Sequence, residues 1–241
     1  MISLAENELL NNIVLIKHAS QLKDEAQYYL DDTFLATIFT PDKMQHDRNL
    51  YSSSKTISVL SDTSKIESII NILPLGMNII KVNGSFSDSS FTQLQSFKSL
   101  TTTSLIPIDG KYFVHHENDI TSNCYQYLFG LISYSICDIQ EMINKYSAYV
   151  LSIKDHDKPV ASCVVYNLYS NIWEIGALST DENYRRQHIA EYLVSYATNH
   201  LLSLSLIPRY HVNMSNIASY NLALKCGYFP FISFNHYSFI K

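Results

Sequence analysis

The sequence predicts an α/β (α+β) protein in which a mixed central sheet is flanked by helices. Three observations predict it. Strand-like and helix-like stretches alternate through residues 1–108. Three strand-like runs joined by short polar turns follow one another from Ala148 to Leu178. The last of these leads through a polar turn into a helical pattern and a further strand, the order of a crossover unit. Residues 1–108 therefore read as an N-terminal α/β region and residues 109–241 as a second domain, a division that 241 residues allow.

Composition narrows the function classes. At 46% hydrophobic and 16% charged residues, the chain can bury a proper core and does not read as disordered. A net charge of −5 argues against a sequence-independent grip on nucleic acid and suits a cationic or amine substrate. Cys124, Cys137, Cys163 and Cys226 are spaced neither as a metal knuckle nor as a redox dithiol. They read as reduced, small apolar residues of a cytoplasmic protein, and no metal site is expected. Met1 to Glu6 carry no basic segment, and Asn11, Asn12 and Lys17 interrupt the apolar run behind them, which does not fit a signal peptide. No stretch reaches the roughly eighteen apolar residues of a membrane span, so no membrane partner is expected.

The N-terminal elements follow from spacing and punctuation. Leu4 to about Phe39 reads as helical, because Leu9, Ile13, Ile16 and then Leu22, Ala26, Tyr29 and Leu30 recur at steps of three to four. Pro41-Asp42 ends it. Ile57 to Leu60 reads as a strand, Ser64 as the cap of a helix through Ile66, Ile69, Ile70 and Leu73, and Asn78 to Val82 as a second strand closed by Asn83-Gly84. Asp88 is expected to cap a helix through Phe91, Leu94 and Phe97. A third strand is expected near Thr103 to Ile108, before the turn signal Asp109-Gly110.

In the second domain Lys111 to His115 reads as the first strand. Asp119 or Thr121 caps a helix through Tyr125, Leu128, Phe129 and Ile132, and Asp138 or a neighbour starts another through Met142 and Ile143. Ala148–Ile153, Pro159–Tyr166 and Ile172–Leu178 are strands separated by polar turns. Ile189, Leu193, Ala197 and Leu201 put one apolar stripe on a helix. Arg209–Asn213 is a short strand, Ile217–Lys225 a helix with Asn216 before it, and Gly227 its C′ residue. Phe231 to Ile240 supplies the last one or two strands.

Between Leu178 and Ile189 the chain enters its helix through Tyr184-Arg185-Arg186-Gln187-His188-Ile189-Ala190. A helix's first turn leaves amides unpaired and carries partial positive charge, and two arginines add donors for phosphate oxygens. The segment is a candidate pyrophosphate site; a surface helix with a basic first turn is the alternative. Together with the stretch after Pro208 it resembles the acetyl-CoA-binding half of the GNAT superfamily of N-acetyltransferases. The first segment follows the pattern Arg/Gln-x-x-Gly-x-Gly/Ala at Arg185, His188 and Ala190, with histidine where glycine is usual. The second follows Asn-x-x-Ala/Ser-x-x-Leu-x-x-Lys-x-Gly-Phe/Tyr at Asn216, Ser219, Leu222, Lys225, Gly227 and Tyr228. The resemblance covers about the last 130 residues, a normal domain size, and is nearest to the bacterial branch that includes the zwittermicin-resistance type.

That resemblance implies the GNAT strand and helix order and transfer of an acetyl group from acetyl-CoA to an amine. It places the pantetheine arm on backbone groups of Ala177, Leu178 and Ser179, and the pyrophosphate on the amides of about Arg186, Gln187, His188, Ile189 and Ala190, with Arg185 beside them. Asn216 is either a cofactor contact or the cap of the last helix, and Ser219 lies in the same motif. Some relatives use a glutamate on the central strand as general base, a place Glu174 occupies. Among Trp173, Ile175 and Leu178 its carboxylate is expected to be partly desolvated, which favours proton uptake; pointing to solvent is the alternative. The tyrosine that many relatives use as general acid is replaced by Ala223, with Tyr220 and Tyr228 nearby in sequence. His188 is expected to crowd the phosphates, to contact them, or to point outward. Adjacent residues on a strand face opposite ways, so His115-His116-Glu117 do not read as a chelating set, and His211 reads as a packed or hydrogen-bonded histidine.

The leading expectation is an acetyl-CoA-dependent N-acetyltransferase acting by direct attack of an amine. Its acceptor could be a small amine, an antibiotic, an amino sugar, a peptide N-terminus or a lysine. A catalytically silent acyl-CoA-binding or interaction module is the competing reading, motivated by His188 and Ala223; a decayed scaffold is a third. Residues 1–108 carry no catalytic constellation and read either as a degenerate first half of a GNAT pair or as a lid and dimerisation region, the latter implying a homodimer.

Overall fold

The structure, a computed structural model, describes residues 9–30 and 34–241. In chain order it contains α1 (Ile13–Leu22), β1 (Gln27–Leu30), β2 (Leu35–Phe39), α2 (Gln45–Tyr51), β3 (Ile57–Leu60), α3 (Ile66–Ile72), β4 (Met77–Asn83) and β5 (Phe91–Thr101). There follow β6 (Val114–Glu117), α4 (Asn123–Gly130), α5 (Ile136–Tyr146), β7 (Tyr149–Asp155), β8 (Lys158–Tyr169) and β9 (Ile172–Thr180). The chain closes with α6 (Ile189–Ser203), β10 (Ile207–Asn213), α7 (Ile217–Lys225) and β11 (Phe229–Ile240). They pack as two compact units. The first runs to Ser99 and takes in Asn213–Ser215 and Phe231–Lys241; the second is Leu100–Val212 with Asn216–Pro230. The sequence division falls later, at residue 108, and keeps the terminal strand in the second domain.

In the first unit the strand order is β1-β2-β3-β4-β11, with β5 beside β11. β3 and β4 are parallel, joined through α3, and the pairs β1/β2, β2/β3 and β4/β11 are antiparallel. Its apolar core gathers Phe34, Ile38, Leu60, Ile69, Ile80 and Val82 among others. Polar groups are buried beside it in pairs: Lys81 with Asp47, and the Tyr51 hydroxyl with His236 Nδ1 at 2.7 Å.

Several sequence expectations for this unit are corrected. The helix expected from Leu4 to Phe39 spans only Ile13–Leu22 of the described residues; its first residues and 31–33 lie outside them. Tyr28-Tyr29-Leu30 and Leu35-Ala36-Thr37-Ile38-Phe39 are strands, rich in the aromatic and β-branched residues that suit a pleated surface. Ser64 does not cap α3; its amide instead donates to Asp62 Oδ1 at 2.7 Å in a tight turn. Asp88 likewise binds the amide and hydroxyl of Ser90 (2.8 and 2.6 Å) and opens β5 where a helix was expected. Long-range partners on β11 decide the matter: Phe91 stacks on Phe239, Gln93 bonds Asn235 and Lys98 bonds Ser233. No local spacing reveals partners that far along the chain. The strand expected at Thr103–Ile108 is irregular chain, and the tail forms one strand.

In the second unit β6 to β9 form an antiparallel run, and β10 lies parallel to β9 through the crossover helix α6. Side chains alternate across this sheet. Val150 and Val164 meet Tyr125, Phe129 and Ile139 of α4 and α5 on one face. Leu151, Cys163, Val165 and Ile175 meet Leu193, Val194 and Ala197 of α6 and Ala223 of α7 on the other. This is the mixed sheet flanked by helices that the sequence predicts. Ser135 and Asp138 form a reciprocal capping box for α5, and Gly227 ends α7 at φ +74. Asp119 bonds Thr121 in a turn and caps no helix, and β6 begins at Val114 rather than Lys111.

His18 on α1 is buried, stacked on Phe39, and donates from Nδ1 to the Val14 carbonyl at 2.6 Å. Burial, helped by Lys81, lowers its pKa from 6.5 to about 4. The unfolded chain then binds this proton first as pH falls, so the neutral histidine's full contribution exists above 6.5 and is lost between 6.5 and 4. At about 1.4 kcal/mol per unit this amounts to about 3 kcal/mol. Denaturant unfolding at pH 7 and pH 4.5 should show that loss in the wild type and a shallower pH slope in His18→Leu; identical slopes would contradict the assignment.

Candidate active site

β9 and β10 lie side by side but pair only from Ile172/Ile207 to Glu174/Arg209. Both strands continue, to Thr180 and Asn213. Past Glu174, β9 also bulges: Ala177 takes φ +46, and the register against β8 shifts between Ser162 and Val164. The backbone of Ala177, Leu178 and Ser179 thus lies beyond the β9–β10 ladder.

A polar row crosses the sheet at the last paired position. Tyr166 lies opposite Glu174 on β8, and Arg209 lies opposite it on β10. The Tyr166 hydroxyl donates to Glu174 Oε1 at 2.6 Å, and the Arg209 guanidinium forms an ion pair with Oε2. Glu174 is 8% exposed and Arg209 2%. Arg209 Nη2 donates in turn to His211 Nδ1 at 2.9 Å, which leaves Nε2 as the protonated nitrogen of a neutral imidazole. Burial, and then the Glu174 charge, push the Tyr166 hydroxyl far above its ordinary pKa, so it stays a donor. Gly176 borders the row: a Cβ there would come within 3.4 Å of the Tyr166 ring.

The basic segment lies in the same unit. Arg186 and His188 take φ +61 and +63, and the first bond of the α6 ladder is Tyr192 N–H to the His188 carbonyl at 2.9 Å. The amides of Ile189, Ala190 and Glu191 precede that bond. The loop is held from outside by Asp181, which accepts the Asn183 amide at 3.0 Å and pairs with Lys158, and by the Tyr184 hydroxyl on Asp155 at 2.5 Å. Thr180, Arg185, Arg186, Ile189 and Ala190 face Ala218, Asn221 and Leu222 of α7 across an open cleft of about 310 Å³. Its charges are mixed. Arg185 pairs with Glu182 at 3.5 Å, and Arg186 has no hydrogen bond or ion pair among the described residues. Glu191 accepts from His188 Nδ1 at 2.7 Å and from Lys225 at 2.6 Å. Burial would raise the Glu191 carboxyl, but those two bonds outweigh it and hold it below the usual carboxylate range.

Arg185, Arg186, His188, Ile189 and Ala190 line the cleft; Gln187 lies in the loop but not on the lining. Of the expected fates of His188, its ring takes none cleanly, since it spans the mouth toward Glu191 and Lys225. The Ser179 hydroxyl is spent on the Leu128 carbonyl at 2.6 Å, leaving that residue only its backbone for a ligand. Asn216 caps α7 by accepting the Ser219 amide at 3.1 Å, and Ser219 Oγ bonds the Tyr210 hydroxyl at 2.8 Å. Glu174 is buried and paired rather than solvent-facing. Ala223 is fully buried, and the Tyr228 hydroxyl is bonded to Thr198. His115, His116 and Glu117 diverge, toward Phe113, His200 and Ser152 respectively. Residues that spacing did not point to are Tyr166, Arg209 and Glu191; the only available signal was a charged residue near the start of both β9 and β10.

The model of the Acetyltransferase (GNAT) family matches residues 115–228, the stretch that holds the paired and parted strands, the basic loop and α7. That stretch is a GNAT acetyltransferase domain. Solved structures share its fold at low identity. A GCN5-related N-acetyltransferase from Kribbella flavida is 10% identical with a TM-score of 0.58, covering 95% of this chain and 94% of that one. A functionally unknown conserved protein from Staphylococcus epidermidis is 12% identical at 0.57, covering 91% and 97%. A GCN5-related N-acetyltransferase from Sphaerobacter thermophilus is 8% identical at 0.55, covering 85% and 76%. No curated protein matches the chain.

The buried ion pair yields a stability prediction. Glu174→Gln leaves Arg209 charged and without its carboxylate, a change that costs about 3–5 kcal/mol for a buried pair. Glu174→Gln combined with Arg209→Met should recover much of that loss. Denaturant unfolding of the three proteins checks it, and a single variant as stable as wild type would contradict the pairing.

Proposed function

We propose that this protein transfers an acetyl group from acetyl-CoA to a primary amine by direct attack, without a covalent enzyme intermediate. The observation that carries this reading is the cleft in which Arg185, Arg186 and the first turn of α6 face α7. The pyrophosphate would lie on the amides from Arg186 to Ala190, with the two arginines on its oxygens. The pantetheine arm would pair with the backbone of Ala177, Leu178 and Ser179, beyond the β9–β10 ladder. The amine nitrogen attacks the thioester carbonyl carbon, the C–S bond breaks, and CoA leaves as the thiolate. Glu174 is the carboxylate assigned to take the amine's proton. Both its oxygens already hold donors, so the amine reaches Oε1 by displacing the Tyr166 hydroxyl. Within the superfamily the motif resemblance supports the bacterial branch of the zwittermicin-resistance type. A cytoplasmic setting, where thiols stay reduced, fits the four free cysteines.

A second reading, a catalytically silent acyl-CoA-binding module, is favoured by one observation. The expected acid position is the buried Ala223, and the Tyr228 hydroxyl is engaged with Thr198 at 2.7 Å. CoA binding without thiol release on a broad panel of amines would select it over the enzyme.

Arg185→Ala and Arg186→Ala should each weaken acetyl-CoA binding by about 1.5–3 kcal/mol, the worth of a charge-assisted phosphate contact. Arg186 should show the larger effect, because Arg185 is shared with Glu182. Calorimetric titration reads this directly, and unchanged affinity in both variants would remove the pyrophosphate assignment. His188→Gly relieves a left-handed backbone of about 1 kcal/mol and clears the loop. It should hold or raise the melting temperature and keep CoA affinity within about threefold, less than one neutral hydrogen bond's worth. A much larger loss of affinity would mean that the imidazole itself grips the phosphates.

A further inference from the structure

The segment between β5 and β6 crosses α6 and reaches the basic loop. Both backbone polar groups of Ile106 are bound by one side chain: its amide donates to Asn199 Oδ1 at 2.8 Å, and its carbonyl accepts from Asn199 Nδ2 at 2.7 Å. Ile106 and Tyr112 pack on the core beneath α6, and the Tyr112 ring meets Tyr192 edge-on at 5.4 Å. The Tyr112 hydroxyl then donates to the Gln187 carbonyl at 2.8 Å. Neither Tyr112 nor Gln187 lines the cleft, whereas Arg186 and His188 on either side of Gln187 do. The hydroxyl therefore holds the loop from behind.

That contact has a consequence for the loop's amides. A trans peptide is planar, with its C=O and N–H pointing in opposite directions. A carbonyl tied back to Tyr112 turns the N–H of the same peptide, that of His188, away from Tyr112 and toward the cleft. The loop needs such a restraint, because residues on both sides of Gln187 are left-handed and non-glycine, a conformation that persists only when its surroundings fix it. Turns with left-handed residues present amides to anions.

We infer that Tyr112 is a positioning residue for cofactor binding: its hydroxyl orients the Gln187–His188 peptide so that the His188 amide meets the pyrophosphate of CoA. The inference rests on the cofactor reading proposed above. It assigns a binding role to a segment outside both sequence motifs.

Tyr112→Phe tests it, since the ring and its packing stay and only the hydroxyl is lost. CoA binding is measured by calorimetry on wild type and variant, with the melting temperature and amide hydrogen exchange at residues 187–190 followed in the unliganded proteins. The expected result is an affinity loss of about three- to tenfold, the factor one neutral hydrogen bond represents. Exchange at those amides should be faster and the melting temperature nearly unchanged. Equal CoA affinity in a wild type and variant that both bind would overturn the positioning role. Failure of the wild type to bind CoA at all would instead overturn the cofactor reading, and this inference with it.

Discussion

The Glu174–Arg209 ion pair is the constraint on which the second unit's architecture turns. Two opposite charges share a nearly dry site, where each needs the other and both need further hydrogen bonds. Tyr166 supplies one and His211 another. Buried pairs add little net stability over apolar packing, but they penalise any register that separates them. Here they sit at the last paired position of two parallel strands. A one-residue slip would separate the charges and turn side chains to the wrong face. The pair thus holds the register in which β9 and β10 meet, and the bulge at Ala177 lies just beyond the last paired position.

The basic loop works by restraint rather than by glycine. Two of its residues hold left-handed conformations that a side chain disfavours, and one of them is histidine, a residue enriched in that region. What compensates is a ring of external contacts: Asp181 and Asp155 on the upstream turn, Tyr112 behind the loop, and the His188–Glu191–Lys225 network across its mouth. Glu191 matters for charge as well as shape. Its carboxylate pairs with Lys225 and accepts from His188 Nδ1, which ties the first turn of α6 to the end of α7.

Much of the second unit was legible in the sequence. The helices, the three serial strands, the crossover helix and the Gly227 terminus follow local rules of periodicity and punctuation. The first unit was less so, and the reason is physical. β5 reads locally as a helix because Phe91, Leu94 and Phe97 are spaced at three. It is a strand because Phe239, Asn235 and Ser233 pair with it from the far end of the chain. Tyr28 to Phe39 misled in the same way. Within the candidate site, the motif pointed to loop residues that do line one cleft, because their placement follows from local backbone geometry. Arg209, Tyr166 and Tyr112 were not singled out, because each makes its contact across strands or across a helix, at separations that spacing does not encode. Glu174 was placed on the right strand, but its partner decides what its carboxylate does, and that partner lies on another strand.

The most direct test of the account is a calorimetric titration of acetyl-CoA into the purified wild-type protein. The account predicts saturable one-site binding in the micromolar range. No measurable heat or saturation at millimolar ligand would contradict it, and would mean that the His188–Glu191–Lys225 network closes the cleft to the cofactor.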